Sequence, residues 1–506
     1  MDKKKLYEID WGKYLKPDRR RPSGTHASTG WDSRNQFESD LGRVIFCPAI
    51  RRMHDKTQVI PLTSGDTILT RLTHSMQVMS VAESLAHYYT RSDSFKKTYG
   101  DKAYAYDASI SAILRTAALL HDIGNPPFGH FGEITIQNYF KKYLEDHHII
   151  TERQALDFTQ FDGNAMGLRI VSMLQYTGTL DGLNLTYPTL GAYLKYPNSG
   201  KANGEGYVGE HKHGIFSTEE SLFDEIVKCC NMKKDKNDMV KVKNKIKRHP
   251  LSFLVEAADS ICYGTMDMED GYNIQWYSFN DMIKALNRYI YQRAVKSEKV
   301  DVLKKYSTDP KNPETFSIES LIGFKRHWDD NTEKDKRRLI LDFRVYLIGY
   351  LTKLAIDNFE KNLEEIDKGE YSNEILKDDD FQVFGALSDF AQHKIISRRD
   401  IQELELTGNS VINGLLKILM NYAFSEDKKF RRKIKAVISK SRMEAMIHEY
   451  SYKEVKFKKF DEEDLWDFDI EELDNYNKLR LIVDFVASMT DKYSVELYQK
   501  FAGMRL

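Results

Sequence analysis

The chain has 506 residues, enough to bury a large core, and its 41% hydrophobic, 12% aromatic and 30% charged residues are those of a globular protein rather than a disordered or fibrous one. Its 75 lysines and arginines nearly balance 76 aspartates and glutamates, a net charge of −1 that excludes a general pull toward nucleic acid or membrane, so any anion site must be built locally. The opening MDKKKLYEIDWGKYL lacks the apolar core of a secretory signal, no stretch approaches the ~20 apolar residues of a membrane helix, and the four cysteines form no framework; a reduced, cytoplasmic protein is expected.

Few prolines and many runs at helical spacing predict an all-α protein. In chain order, the first telling run is RLTHSMQVMSVAESL (71–85), where Leu72, Met76, Met79, Ala82, Leu85, Ala86 and Tyr89 recur at three- and four-residue steps. His74 shares a helix face with Val78, Val81 and Leu85, which turns its imidazole inward. Alone, it reads most simply as a core histidine. In the next run Ile110, Leu114, Ala117 and His121 fall on one face, and Asp122 follows at the helix end. A carboxylate there opposes the negative end of the helix dipole unless a cation stands nearby. Two prolines and three glycines then break the chain in AALLHDIGNPPFGHFGE (117–133), and His130 and Glu133 come three residues apart, on one face if a helix starts there.

Residues 178–216 are rich in Gly, Tyr and Thr and are expected to hold short strands or hairpins within a loop-rich excursion. A basic block (233–248) follows, and an acidic block with interleaved aromatics lies at 461–474; each reads most simply as a solvated face, or more sharply as a phosphate or nucleic-acid contact and a subunit contact. In HPLSFLVEAADSICYGTMDMEDGY (249–272) Asp259 shares an apolar stripe with Val255, Cys262, Tyr263 and Met266, a costly place for a carboxylate unless it is paired or binds metal. Two inward histidines and two inward carboxylates suit an octahedral Mg²⁺ or Mn²⁺ site, or one for a similar transition metal, with open water positions; they do not suit a closed structural zinc. Further on, Val411, Ile412, Leu415, Leu416 and Leu419 form another helical stripe, as do Leu481, Val483, Phe485 and Val486.

The order His74 … His121-Asp122 … Asp259 resembles the HD-domain phosphohydrolase superfamily. The stretches SRNQFESDLGRVIFCPAIRRMHDKTQV, ILTRLTHSMQV, LLHDIGNPPFGHFGE, FDGNAMGLRI, LGAYLKYP, EAADSICYGTMDMED and VASMTDKY look like its deoxyguanosine triphosphate triphosphohydrolase (dGTPase) branch, over nearly the whole chain. The resemblance implies one mainly α-helical unit, with a metal-binding core over about 34–275, a helical C-terminal part over about 276–506, and a few short strands in insertions. It implies His74, His121, Asp122 and Asp259 as metal ligands and His130 with Glu133 as the catalytic pair. It also implies Gln58 as a reader of the purine edge, and Arg71, Asn164, Lys195, Tyr196 and Lys212 as phosphate or sugar contacts. Tyr263 would stack under the sugar and crowd a 2′-hydroxyl, Asp267 would meet the 3′-hydroxyl, and Glu405 would lie near the base.

The implied reaction is hydrolysis of dGTP, with other dNTPs beside it, to a deoxynucleoside and inorganic triphosphate by water attack on the α-phosphorus. The implied partners are copies of the same chain, a hexamer being favoured, and a single-stranded DNA or nucleotide effector, with the basic block as one place for it. Against this stand two readings: another HD phosphohydrolase acting on nucleotides or nucleic-acid ends, and a catalytically silent regulator. The chain departs from the pattern at His54-Asp55, in FDGN where FEGN is usual, and over 425–475, where KKFRRKIK (428–435) would offer a cation to a neighbouring subunit's site.

Overall fold

A computed structural model describes residues 7–22, 32–58, 69–175, 181–204, 206–233, 246–327, 332–454 and 468–504. Helices carry the architecture, as the periodicity predicts. Helix α1 spans Gln36–Ile45, α2 Arg71–Thr90, α3 Ala103–Leu120 and α4 Gly129–Asp146. Then come α5 (Gly163–Arg169), α6 (Tyr187–Tyr193), α7 (Pro250–Asn273), α8 (Phe279–Lys296) and α9 (Glu333–Lys361). The C-terminal part contributes α10 (Arg399–Ala423), α11 (Asn475–Ala487) and α12 (Asp491–Phe501). The named strands among the described residues are one antiparallel hairpin, β1 (Ser307–Asp309) with β2 (Asn312–Phe316).

That hairpin corrects one expectation. The described part of 178–216 forms α6 and one 3₁₀ turn (Val208–Glu210) with an isolated bridge from Thr186 to Arg19, and no hairpin. Its glycines and threonines serve turns and caps, and Thr186 and Thr189 donate to the buried carboxylate of Asp40 (2.7 and 2.9 Å) instead of to a strand partner. Most of the basic block (234–245) and half of the acidic one (461–467) lie outside the described residues.

α2 and α3 pack together, and α7 lies across both, with α9 against α7 and α2. The start of α2 is set by Thr70, whose hydroxyl accepts from the Thr73 N–H while the Thr73 hydroxyl answers the Thr70 N–H. Its buried face carries His74, Ser75, Val78, Val81, Ala82, Leu85, Ala86 and Tyr89, whereas Met76 is half exposed at 52%. Of the expected stripe Ala82, Leu85, Ala86 and Tyr89 are buried and Leu72 and Met79 pack against the core, so Met76 alone falls outside it. A helix covered on two sides has no single polar face for the period to reveal.

Helix α10 joins the two halves of the chain, packing on α4 from one side and on α11 and α12 from the other. A buried charge network adds to that link. The fully enclosed Arg169 of α5 meets Asp484, Glu219 and Glu449 at 2.8, 2.9 and 3.0 Å. Three carboxylates around one guanidinium satisfy its fork of donors, and Arg480 takes the remaining oxygen of Asp484 at 2.9 Å. None of the helices among the described residues is long and apolar enough to cross a membrane.

Candidate active site

The break after α3 is where titratable side chains gather. His121 follows the last residue of α3, and its ring Nδ1 meets the Ala118 carbonyl at 2.7 Å. That carbonyl can only accept, so Nδ1 carries the proton and Nε2 points away from the helix. There Nε2 lies 3.5 Å from Asp122 Oδ2 and 3.4 Å from Asp259 Oδ1, buried and without a hydrogen bond. His74 reaches the same point from α2, its Nε2 3.2 Å from Asp259 Oδ1. His74, His121 and Asp122 each bring a ligand atom within 4.8 Å of the others.

The charges in this group act strongly on one another. Burial pushes the His121 imidazole down, yet the carboxylates of Asp122 and Asp259 outweigh it and hold its pKa up at about 9. Burial likewise works against ionising Asp259, and His121 and His74 override it and hold its carboxyl well below the usual range. Two carboxylates thus converge on two imidazole nitrogens, a donor set that could hold a metal ion. A proton on His121 answers part of that charge, and two nitrogens with two oxygens are also ligands a divalent ion accepts. Asp122 is also steadied by Arg71 (Nη1 to Oδ2, 2.6 Å) and by the Asn125 amide (2.6 Å to Oδ1). The dipole conflict seen in the sequence is thereby relieved by a guanidinium.

Beyond the prolines the chain turns back. Phe128 and Gly129, the cap and first residue of α4, both adopt left-handed backbone (φ 62° and 58°). At Gly129 a side chain would also collide with the Arg71 guanidinium, 2.3 Å from the place of its Cβ. The turn sets His130 in the first turn of α4 with an exposed ring, and its Nδ1 donates to Glu133 Oε2 at 2.9 Å. Glu133 is buried, and its other oxygen accepts the Gly163 N–H at 2.7 Å. The His130–Glu133 hydrogen bond raises the His130 pKa above the ordinary histidine value.

A cavity of about 280 Å³ connects these groups. Its walls include His121, Asp122, Asp259, His130 and Glu133, and among the expected substrate contacts Arg71, Asn164, Lys195, Tyr196 and Lys212. Lys195 pairs with Glu256 at 3.3 Å and Lys212 with Asp162 at 2.7 Å, and both ammonium groups sit over the Tyr196 ring. Asn164 is oriented by the same Asp162, which caps α5, and by Tyr193, whose hydroxyl donates to the Asn164 carbonyl at 2.8 Å.

The cavity does not reach four of the expected contacts. Gln58 is half-buried at the end of a described segment, with its side-chain oxygen buried and unpartnered among the described residues. Tyr263 and Asp267 lie one and two turns beyond Asp259 on α7; burial keeps the Asp267 carboxyl well above the usual range and pushes Tyr263 up to about 12. Glu405 sits half-buried on α10, near enough for His130 to lower its pKa against the rise from burial, and its Oε2 accepts from Gln402 at 3.0 Å. His74 is fully enclosed behind the wall. Missed in the sequence were Asn125, Glu256 and Asp162. Glu256, three residues before Asp259, was discoverable from the helical period, and Asn125 stands three after Asp122; the role of Asp162 as a cap appears only with α5 in place.

Comparison with known proteins agrees with this geometry. Residues 71–176 match the HD domain, and residues 458–500 match the phosphohydrolase-associated domain. A deoxyguanosinetriphosphate triphosphohydrolase-like protein of Listeria innocua is 32% identical over 98% of this chain and 100% of its own length. A protein of the same description in Listeria monocytogenes is 31% identical over the same shares. One in Pseudomonas aeruginosa is 36% identical over 54% of this chain and 60% of its own length.

Proposed function

Because the chain belongs to the deoxyguanosinetriphosphate triphosphohydrolase-like family of HD phosphohydrolases, we propose that it hydrolyses dGTP, and other dNTPs beside it, to deoxynucleoside and inorganic triphosphate. The observation that carries this reading is the company kept around one cavity: His121, Asp122 and Asp259, with His74 enclosed behind them, the His130–Glu133 pair, and three cationic side chains.

The charges support a metal-dependent reaction. Four carboxylates (Asp122, Glu133, Glu256 and Asp259) and three cations (Arg71, Lys195 and Lys212) line the cavity. A nucleoside triphosphate adds negative charge beside these carboxylates, and a divalent cation that comes with it or is already held would offset that charge. His74, His121, Asp122 and Asp259 would hold this ion, which supplies Lewis-acid polarisation of a phosphoryl oxygen and activation of water. Arg71, Lys195 and Lys212 then bind phosphate oxygens, at the expense of their present carboxylate partners.

Glu133 keeps the proton of His130 on Nδ1, so Nε2 faces the cavity and exchanges a proton with the attacking water or the leaving 5′-oxygen. The volume, just below the ~300–1,000 Å³ of ligand pockets, suits the phosphate end of a nucleotide. In this reading the sugar and base extend past it, toward Tyr263, Asp267 and Glu405, and Gln58 offers an unpartnered amide oxygen to the amino edge of guanine. Assembly into a homo-oligomer and a cytoplasmic location belong to the same proposal; the four free cysteines fit a reducing compartment.

The test is a panel of dNTPs and NTPs with Mg²⁺ or Mn²⁺, the products separated by ion-exchange chromatography. Deoxyguanosine with intact triphosphate is the expected outcome. Orthophosphate, pyrophosphate or a nucleoside monophosphate as first product would place the chain elsewhere among HD phosphohydrolases.

The proton-transfer role has its own signature. The Glu133 hydrogen bond raises the His130 pKa, so His130 stays protonated to a higher pH than a free histidine. Glu133→Gln removes that pull, and the limb of the kcat/KM profile belonging to His130 moves to lower pH. If His130 takes the water proton the acid limb moves; if it protonates the leaving oxygen the alkaline limb moves. A profile unmoved at both limbs sinks the pairing.

A further inference from the structure

The turn that aims His130 is not self-supporting. Phe128 holds a left-handed backbone (φ 62°), which a residue with a bulky side chain adopts only when its surroundings impose it. It also begins α4 without any side-chain cap. Two contacts hold it from a distance. Its ring packs flat on α10 at Gly408, where a Cβ would come within 2.6 Å of the ring. Its N–H donates to Asp491 Oδ1 at 3.0 Å, across 363 residues of chain.

Asp491, buried at the start of α12, uses its other oxygen on a third segment. Oδ2 accepts from the Thr57 N–H (3.0 Å) and from the Thr57 hydroxyl (2.5 Å), beside Gln58. Thr57 in turn bridges to Thr70, the cap of α2, next to Arg71. Lys56 completes the junction: its buried ammonium donates to the Asn125 carbonyl and, at 3.2 Å, to the Ala487 carbonyl at the end of α11. Residues 56–57, 125–128 and 487–491 thus meet in one knot, and the C-terminal part grips the turn between the metal ligands and His130.

We infer that Asp491 is a positioning residue for hydrolysis: by accepting from Phe128 and Thr57 at once, it fixes the left-handed turn that places His130, and it ties that turn to the segment carrying Gln58. The inference rests on the proposed catalytic role of His130. An asparagine keeps the size of Asp491 but has one acceptor oxygen, so it can serve one of the two segments and not both. The turn then relaxes, and displacement of a catalytic group by about 1 Å costs on the order of 10²-fold in rate.

The test is a kinetic double-mutant cycle on the full chain with Asp491→Asn, His130→Ala and the double variant. It measures kcat on dGTP, bound metal and the thermal unfolding midpoint. The expected result is a loss of about 10²-fold for Asp491→Asn with metal content unchanged, and a further loss of no more than about twofold when it is added to His130→Ala, since residues acting as a unit are non-additive. Multiplied losses show that Asp491 acts elsewhere and overturn the inference, as does a native rate for Asp491→Asn. A native rate for His130→Ala removes the catalytic reading itself and this inference with it. Should Asp491→Asn fail to fold, Thr57→Val removes only the hydroxyl tie and runs the same cycle, with a severalfold loss that again vanishes without His130.

Discussion

His121→Ala is expected to lose bound metal and turnover together. The imidazole Nε2 is the point at which Asp122 and Asp259 converge, at 3.5 and 3.4 Å, and alanine leaves two carboxylates and His74 around an empty position. An ion held by the remaining three groups is bound more weakly and out of place. The polarisation it supplies is worth several kcal/mol of transition-state stabilisation, so a fall of roughly 10³-fold or more in kcat/KM is expected. Metal analysis of the purified variant beside the parent, together with triphosphate release at saturating Mn²⁺, reads both effects. Full activity with depleted metal would separate the cluster from the chemistry and end the metal-dependent reading.

His130→Ala is the complementary case. Its ring touches Glu133 and faces the cavity, but it belongs to α4, on the far side of the proline turn from the metal cluster. Metal content should therefore match the parent while kcat falls by roughly 10²–10⁴-fold, the usual share of a general acid or base. Near-native kcat would show that another group transfers the proton. The two variants together distinguish holding the ion from moving the proton, because one loses both properties and the other only one.

Much of the candidate site was legible in the sequence. His74, His121 and Asp259 each stood on a helix face otherwise made of apolar residues, and the 3.6-residue period turns such faces inward. Asp122 was marked by its conflict with the helix end, and His130 with Glu133 by their spacing after a turn of prolines and glycines. The same reasoning counted the exposed Met76 into the buried stripe of α2 and allowed short strands or hairpins in 178–216, because periodicity and turn composition report local preference and not which neighbour covers a face. Naming a substrate came from resemblance to a family, not from spacing.

What the sequence determined by itself, then, is the local part: helices, the inward histidines and carboxylates, and the turn that brings a second pair back. Only the tertiary structure decided how these parts are charged and aimed. Arg71 neutralises Asp122, Glu256 and Asp162 hold the two lysines, and Asp491 clamps Phe128 across 363 residues. The physical reason is range. A helical period acts over a few residues and is written along the chain, whereas an ion pair or a buried hydrogen bond acts over a few ångströms of space and joins residues whose nearness no local pattern records.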